Sequence, residues 1–223
     1  MIDIILPCLN EEKALPWVLS RVSKNINAIV VDNGSSDNSI EIAKSFGAKV
    51  IECEQPGYGA ACHAGLLAAS AQTIAFCDCD ATIDPSVIDL QAVAVQEQTI
   101  DLAIARRIPA SYSAMTIPMR IANRELARRI RKSTTYKLFD LGPLRIVNTQ
   151  KYIDLNIKDR RSGYPLEMIL RANAKNWKIK TFDIQYLKRE GKSKVTGTLR
   201  GTINAIKDMN KAFSDMHIES ESR

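Results

Sequence analysis

Residues 76–85 read FCDCDATIDP. The apolar run that leads into it, residues 73–76, predicts a buried strand that ends just before two carboxylates, Asp78 and Asp80. The Asp-Pro pair at 84–85 then predicts the start of a helix, with the aspartate as N-cap and the proline in the first helical position. Because open α/β sheets bind ligands at the carboxyl ends of their strands, the acidic pair marks a candidate site.

The two carboxylates also suggest what this site could hold. Mg²⁺ is commonly bound by one or two carboxylates together with substrate phosphates, and Mn²⁺ takes similar oxygen ligands. Asp78 and Asp80 are therefore candidate ligands of Mg²⁺ or Mn²⁺. By itself an Asp-x-Asp pattern is more often a solvated loop end, so the rest of the chain decides its meaning.

The composition is that of an ordinary globular protein. The 223 residues are 45% hydrophobic and 25% charged, which suits one large domain with a full core. The apolar runs are only a handful of residues long, so we expect no membrane-spanning helix. Asp3 interrupts the apolar N-terminus, which argues against a signal peptide and favours a cytoplasmic protein.

Cysteine content and net charge restrict the function further. Five cysteines without a Cys-x-x-Cys pair favour reduced thiols over disulfides or a zinc site. The net charge of +6 favours an anionic partner such as a nucleotide, a lipid phosphate, a membrane surface or nucleic acid. We expect no nucleic-acid partner, because no aromatic interleaving or known nucleic-acid motif accompanies the basic residues.

Strands and helices alternate along the first half of the chain. Strands are predicted at 2–6, 28–31, 49–52 and 73–76, and helices at 11–22, 38–46, 60–70 and 85–96. In the first of these helices Asn10 is the expected N-cap. The alternation predicts parallel strands joined by right-handed crossovers, and the continuously apolar strands predict helices on both faces of the sheet.

The second half mixes further strands and helices with a basic segment. Strands are predicted at 101–105, 144–147 and 178–184, helices at 115–132, 164–175 and 198–213, a loop at 106–113, and a frayed polar tail at 214–223. Four arginines share one face of the helix at 115–132: Arg120, Arg124, Arg128 and Arg131. That face is either simply solvated, or it lies on an anionic membrane or beside an anionic acceptor.

Several short motifs in order carry a family resemblance. They are LPCLNEE at 6–12, VVDNGSSD at 30–37, GYGAA at 57–61, DCD at 78–80, GYPLEM at 163–168 and GKSK at 191–194. Together they resemble family 2 glycosyltransferases, and the later motifs resemble the dolichyl- or polyprenyl-phosphate sugar synthase branch. The resemblance implies a single-domain GT-A nucleotide-diphospho-sugar transferase fold, with a Rossmann-like, mostly parallel mixed sheet.

The resemblance also implies a division of the chain and a nucleotide site. The domain would span 1–213, with a nucleotide-sugar-binding half at about 1–105 and an acceptor half at about 106–213. The positions that would hold the nucleotide are Pro7, Asn10, Glu12, Asp32, Gly57 and Asp78. Asp32 would accept a hydrogen bond from the base. The alternatives are that Asp32 only caps a helix and that Gly57 only forms a tight turn.

Phosphate-binding and catalytic residues follow from the same resemblance. Lys188, Arg189 and Lys194 would bind phosphates of the donor or acceptor, although Lys188 stands where the family usually has arginine. Asp78, Asp80 and Glu167 would be catalytic, with Asp78 and Asp80 holding the metal. Thr82 could add a weak metal ligand, and Glu167 could instead only pair with Arg171.

The implied activity is that of an inverting, metal-dependent glycosyltransferase. It would move a sugar from a UDP- or GDP-linked donor to an acceptor. The leading candidate for the acceptor is polyprenyl phosphate at the inner face of the membrane. A phosphate acceptor needs no strong base, whereas a hydroxyl acceptor of a glycan or small molecule would need one, for which Glu167 is the candidate. A catalytically inactive nucleotide-binding subunit is a further alternative, which the intact acidic pair disfavours.

Overall fold

The strands of the protein form one mixed sheet. They are β1 (Ile2–Cys8), β2 (Ile26–Asp32), β3 (Lys49–Glu52), β4 (Thr73–Cys77), β5 (Leu102–Pro109), β6 (Leu144–Asn148) and β7 (Ile179–Tyr186). In the computed structural model, which describes residues 1–190 and 199–221, the seven strands lie in the order β3-β2-β1-β4-β6-β5-β7. β6 runs antiparallel to β4 and β5, and the other neighbouring pairs are parallel. The predicted mostly parallel mixed sheet is confirmed.

Helices cover both faces of this sheet. They are α1 (Leu15–Leu19), α2 (Ser39–Ser45), α3 (Tyr58–Ala68), α4 (Ile88–Gln96), α5 (Ile117–Ser133), α6 (Thr149–Ile153), α7 (Tyr164–Ala174) and α8 (Leu199–Glu221). Ile4 and Ile5 are neighbours in β1, are both fully buried, and belong to two different hydrophobic clusters. Side chains of α1 and α4 join the cluster of Ile4, and those of α3, α7 and α8 join the cluster of Ile5. Burial of both faces explains why the strands are continuously apolar.

The N-terminal helix is shorter than predicted. Asn10 has a φ of 54° and is not an N-cap, and α1 begins only at Leu15. The segment before α1 bonds instead to the loop after β2, since the backbone N–H of Asn10 donates to Ser35 Oγ at 2.8 Å. These long-range bonds outweigh the local capping pattern.

Two other boundaries differ because of tertiary contacts. β5 continues to Pro109 through the predicted loop at 106–113, because it pairs with β7 as far as Tyr186. α8 continues to Glu221, where the sequence predicted a frayed tail. Its Met216 packs against the cluster of Ile5, which extends the apolar stripe of the helix beyond residue 213.

The topology places β1 between β2 and β4, with all three strands parallel. Their carboxyl ends therefore meet at one edge of the sheet, which is where open α/β sheets bind ligands. Within residues 1–190 and 199–221, the helices lack the length or the hydrophobicity that spanning a bilayer requires.

Candidate active site

Asp80 lies at the centre of the candidate site and is held from two sides. Its carboxylate is 5% exposed, and Oδ1 accepts hydrogen bonds from the Thr82 backbone N–H at 3.2 Å and from Thr82 Oγ1 at 2.6 Å. Oδ2 lies 2.8 Å from Arg189 Nη1. Thr82, which the sequence suggested as a weak metal ligand, thus orients the carboxylate through its hydroxyl. Asp84 caps the following helical turn as predicted, accepting from the Ser86 N–H at 3.0 Å.

Asp78 is joined to Tyr58 and, through it, to Arg145, and neither was predicted from the sequence as a site residue. Its Oδ1 accepts a hydrogen bond from the Tyr58 hydroxyl at 3.1 Å, and that hydroxyl accepts one from Arg145 Nη2 at 3.0 Å. Arg145 is 3% exposed. An arginine within the otherwise apolar strand segment 144–147 was the signal in the sequence that could have drawn attention to it.

The electrostatics of the acidic pair suit a divalent cation. Burial, and next the nearby charge of Asp80, raises the pKa of Asp78 to about 6. Two carboxylates that resist ionising together gain from a cation placed between them and the substrate. In residues 1–190 and 199–221, no group of three or more acidic, histidine or cysteine side chains is placed to hold a metal ion. The chain thus offers the one or two carboxylates typical of Mg²⁺ sites that are completed by phosphate oxygens.

The two carboxylate oxygens of Asp32 have different surroundings. Its Oδ2 accepts from the backbone N–H groups of Gly34 at 3.0 Å and Ser35 at 3.1 Å, so the capping alternative describes one oxygen correctly. Within the described residues, Oδ1 is buried and has no hydrogen-bond partner. A buried acceptor without a partner costs about 1–3 kcal/mol, which a donor on a ligand would offset.

Three other residues that were predicted to bind the nucleotide form hydrogen bonds within the protein. Asn10 Oδ1 accepts from the Ser36 N–H at 2.7 Å, and Glu12 Oε2 accepts from the Asn38 N–H at 3.2 Å. The carbonyl oxygen of Pro7 accepts from Cys79 Sγ at 2.8 Å. The structure therefore brings Asn10 and Glu12 to the loop after Asp32, and Pro7 to the acidic motif.

Gly57 lies where two backbone segments meet closely. It has a φ of 135°, and a Cβ there would lie 2.4 Å from the carbonyl oxygen of Arg160. The Ala60 N–H also donates to that carbonyl oxygen at 2.8 Å. The glycine at this position thus lets the start of α3 pack on residues 160–161, and its contact with a nucleotide stays a prediction.

The basic loop after β7 has one residue in the site. Arg189 contacts Asp80 and also pairs with Glu11, whereas Lys188 is exposed. Of these two candidates for phosphate binding, the structure thus brings Arg189 to the acidic pair. Lys194 lies outside the described residues.

The carboxylate of Glu167 forms hydrogen bonds and an ion pair with neighbouring residues. It is 5% exposed and accepts from the backbone N–H groups of Lys158 at 2.9 Å and Asp159 at 2.7 Å. Arg171 Nε lies 2.5 Å from Oε1. The pair with Arg171, which the sequence left as the alternative to a catalytic role, is therefore present. The contacts of this carboxylate within the described chain do not include Asp78 or Asp80.

Comparison with known proteins identifies the class. The model of the family described as glycosyl transferase family 2 matches residues 3–154, so the chain belongs to this family and is a glycosyltransferase. It is 39% identical over 214 residues to an uncharacterized glycosyltransferase of Mycobacterium tuberculosis, covering 96% of this chain and 98% of that protein. It is 27% identical over 200 residues to a dolichyl-phosphate hexose transferase of Haloferax volcanii, covering 86% and 85%.

A solved structure supports the fold. Glucosyl-3-phosphoglycerate synthase from Mycobacterium tuberculosis, crystallised with Mn²⁺, uridine diphosphate and glucosyl-3-phosphoglycerate, is similar with a TM-score of 0.78. The alignment covers 97% of this chain and 79% of that chain at 17% identity. The likeness shows that the two proteins share the GT-A fold.

Proposed function

We propose that this glycosyltransferase moves a sugar from a nucleoside diphosphate sugar to polyprenyl phosphate with the help of Mg²⁺ or Mn²⁺. The observation that carries the proposal is the convergence of Asp32, Asp78 and Asp80 at the carboxyl ends of β2 and β4, on either side of β1. The edge of the sheet then offers a buried acceptor for a base and two carboxylates for a metal–diphosphate group.

The nucleoside is the part of the donor that Asp32 would recognise. Its Oδ1, which has no partner in the part of the chain that the structure describes, suits an N–H group on the edge of a base. Asn10 and Glu12 would act by holding the loop after Asp32 in place, because their side-chain oxygens accept from its backbone N–H groups. Pro7 and Gly57 would line the same nucleotide site.

Asp78 and Asp80 would hold the divalent cation, which when bound neutralises charge on the departing nucleoside diphosphate. The similar synthase was crystallised with UDP and either Mn²⁺ or Mg²⁺, which supports either metal here. Arg189 would bind phosphate through its planar guanidinium, which matches phosphate oxygens in pairs. Lys188 and Lys194, on either side of it in the chain, would contribute further positive charge.

A phosphate acceptor is supported by the state of Glu167. Two backbone N–H groups and Arg171 occupy its carboxylate, so it is poorly suited to take a proton from a hydroxyl. A lipid phosphate is already ionised and needs no such base. The relative from Haloferax volcanii, a dolichyl-phosphate hexose transferase, supports the same acceptor class.

The acceptor would be reached at a membrane surface through α5. Ile117 and Ile121 are 56% and 64% exposed, and Arg124 and Arg128 continue their face of the helix at helical spacing. An apolar end followed by basic residues is typical of helices that lie in the interface of an anionic bilayer. The contribution of the predicted basic line is smaller than four arginines, because Arg120 and Arg131 donate to backbone carbonyls of the protein itself and Arg128 pairs with Glu125.

The test is a pair of measurements on the whole chain. Calorimetric titration with UDP and GDP, with and without Mn²⁺, should find one nucleotide whose affinity rises at least tenfold with the metal. Transfer from the matching nucleotide sugars to a short polyprenyl phosphate should then follow. Nucleotide binding that ignores Mn²⁺, or transfer only to a hydroxyl acceptor, would overturn the corresponding half of the proposal.

A further inference from the structure

A series of buried hydrogen bonds connects Asp78 of the acidic pair to the antiparallel strand β6. Arg145 lies on β6 opposite Phe76 of β4, two residues before Asp78. Its Nη2 donates to the Tyr58 hydroxyl at 3.0 Å, and this hydroxyl donates to Asp78 Oδ1 at 3.1 Å. Tyr58 is the first residue of α3, so three elements that are distant in sequence meet at one carboxylate.

Arg145 places a positive charge in the interior at one end of these hydrogen bonds. Its Nε and Nη1 are buried and have no hydrogen-bond partner within the described residues. Uncompensated buried charge is costly, so its persistence here calls for an anionic counterpart. Burial raises the pKa of the Cys62 thiol to about 12, and the pKa of Tyr152 also rises well above its ordinary value because of burial. These neighbours therefore stay neutral, and the counterpart is Asp78, reached through the Tyr58 hydroxyl.

The two carboxylates of the motif are thus held by separate sets of residues. Asp80 is oriented by Thr82 and Arg189, which follow it in the sequence. Asp78 is oriented by Tyr58, which precedes it. In the part of the chain that the structure describes, Asp78 Oδ2 has no hydrogen bond, so one oxygen is fixed and the other is free to meet a ligand. Two neighbouring carboxylates repel each other, so each needs its own contacts to stay in the orientation that binds a cation.

We propose that Arg145 and Tyr58 are positioning residues, which orient Asp78 for the metal–diphosphate group of the donor. This inference rests on the proposed function, in which Asp78 helps to hold the cation. Neither residue needs to touch the donor. Their contribution is the direction of one carboxylate and a positive charge behind it.

The test compares two buried tyrosines. Tyr58→Phe removes the hydroxyl that links Arg145 to Asp78. Tyr152→Phe removes a hydroxyl of the same interior that has no hydrogen-bond partner among the described residues. UDP and GDP affinities are measured with and without Mn²⁺, together with the thermal unfolding temperature. We expect Tyr58→Phe to lower the Mn²⁺-dependent gain in affinity about tenfold and to leave the metal-free affinity unchanged, while Tyr152→Phe keeps both.

Arg145 variants add a second readout. Arg145→Lys, which keeps the charge, should retain more of the Mn²⁺-dependent gain than Arg145→Met. A full Mn²⁺-dependent gain in folded Tyr58→Phe would overturn the inference, and so would equal losses in Tyr58→Phe and Tyr152→Phe, which indicate general loosening. A wild-type chain without any Mn²⁺-dependent gain would overturn the proposed function and this inference together.

Discussion

Arg189 Nη1 lies 2.8 Å from Asp80 Oδ2, so a guanidinium contacts one of the two carboxylates that the proposed function assigns to a metal ion. The same side chain pairs with Glu11, which follows β1. Arg189 therefore supplies positive charge to the acidic site. A metal-bound donor would have to replace this contact at Asp80.

Replacing Arg189 should separate metal binding from turnover. We expect Arg189→Ala to strengthen Mn²⁺ binding in the absence of nucleotide several-fold, because the competing cation is gone. Sugar transfer should fall at least tenfold, because the phosphate contact is lost. Metal titration and initial rates measure the two effects, with the exposed Lys180→Ala, near the start of β7, as the control. Unchanged Mn²⁺ affinity in Arg189→Ala would contradict competition at Asp80.

Asp32→Asn tests base recognition apart from capping. Asparagine caps helices and turns about as well as aspartate, so the folded state should keep its unfolding temperature within a few degrees. The buried Oδ1, which has no partner within the described residues, would become an oxygen or N–H group of an amide. We expect nucleotide affinity to fall about tenfold, as measured by calorimetry. Equal affinity in both proteins would mean that Asp32 only orders its loop.

Glu167→Gln tests whether this carboxylate is a base. Because it is buried against two backbone N–H groups and Arg171, we expect a loss of stability of about 1–3 kcal/mol, measured by denaturant unfolding. The rate of transfer to polyprenyl phosphate should fall less than tenfold. A loss of a hundredfold or more with unchanged stability would instead favour catalysis on a hydroxyl acceptor.

Charge reversal on α5 tests the membrane contact. Two basic residues near an anionic surface contribute roughly 2 kcal/mol, so Arg124→Glu with Arg128→Glu should weaken binding to anionic vesicles at least 30-fold. Wild-type binding should also weaken with salt. Co-sedimentation with vesicles that contain phosphatidylglycerol measures both effects.

The apolar end of the same helix has a matched control on α4. Ile117→Ser with Ile121→Ser should release the protein from vesicles, because apolar contact with the bilayer is lost. Leu90→Ser with Val93→Ser should not, although Leu90 is 74% exposed and Val93 is 44% exposed. Equal loss in both double variants, or no vesicle binding by the wild type, would contradict a contact through α5.

Gly57→Ala tests the close approach of two backbones. Gly47 also has a positive φ, of 76°, but no atom of the described residues lies within 4 Å of a Cβ built there, whereas at Gly57 the Arg160 carbonyl oxygen lies 2.4 Å away. We expect Gly47→Ala to cost about 1 kcal/mol and Gly57→Ala more than twice as much, because a clash is added to backbone strain. Denaturant unfolding measures both, and equal costs would rule out the clash.

Local sequence patterns predicted much of the fold. The strand Lys49–Glu52 has its predicted bounds, and the N-cap at Asp84 is where the Asp-Pro pair indicated. Apolar runs bounded by turn residues define strands buried on both faces, because the period and length of the pattern reflect burial directly. The position of Asp78 and Asp80 at a strand end followed from the same local pattern.

Only the tertiary structure decided which side chains meet. Arg189 rather than Lys188 contacts Asp80, and Arg145 reaches Asp78 through Tyr58. These partners are far apart in the chain, and a periodic pattern carries no information on the distance between residues brought together by crossovers. Local patterns were therefore sufficient to predict the α/β class and the acidic strand end. The packing of distant elements determined how each carboxylate is oriented, because orientation depends on contacts that no local pattern contains.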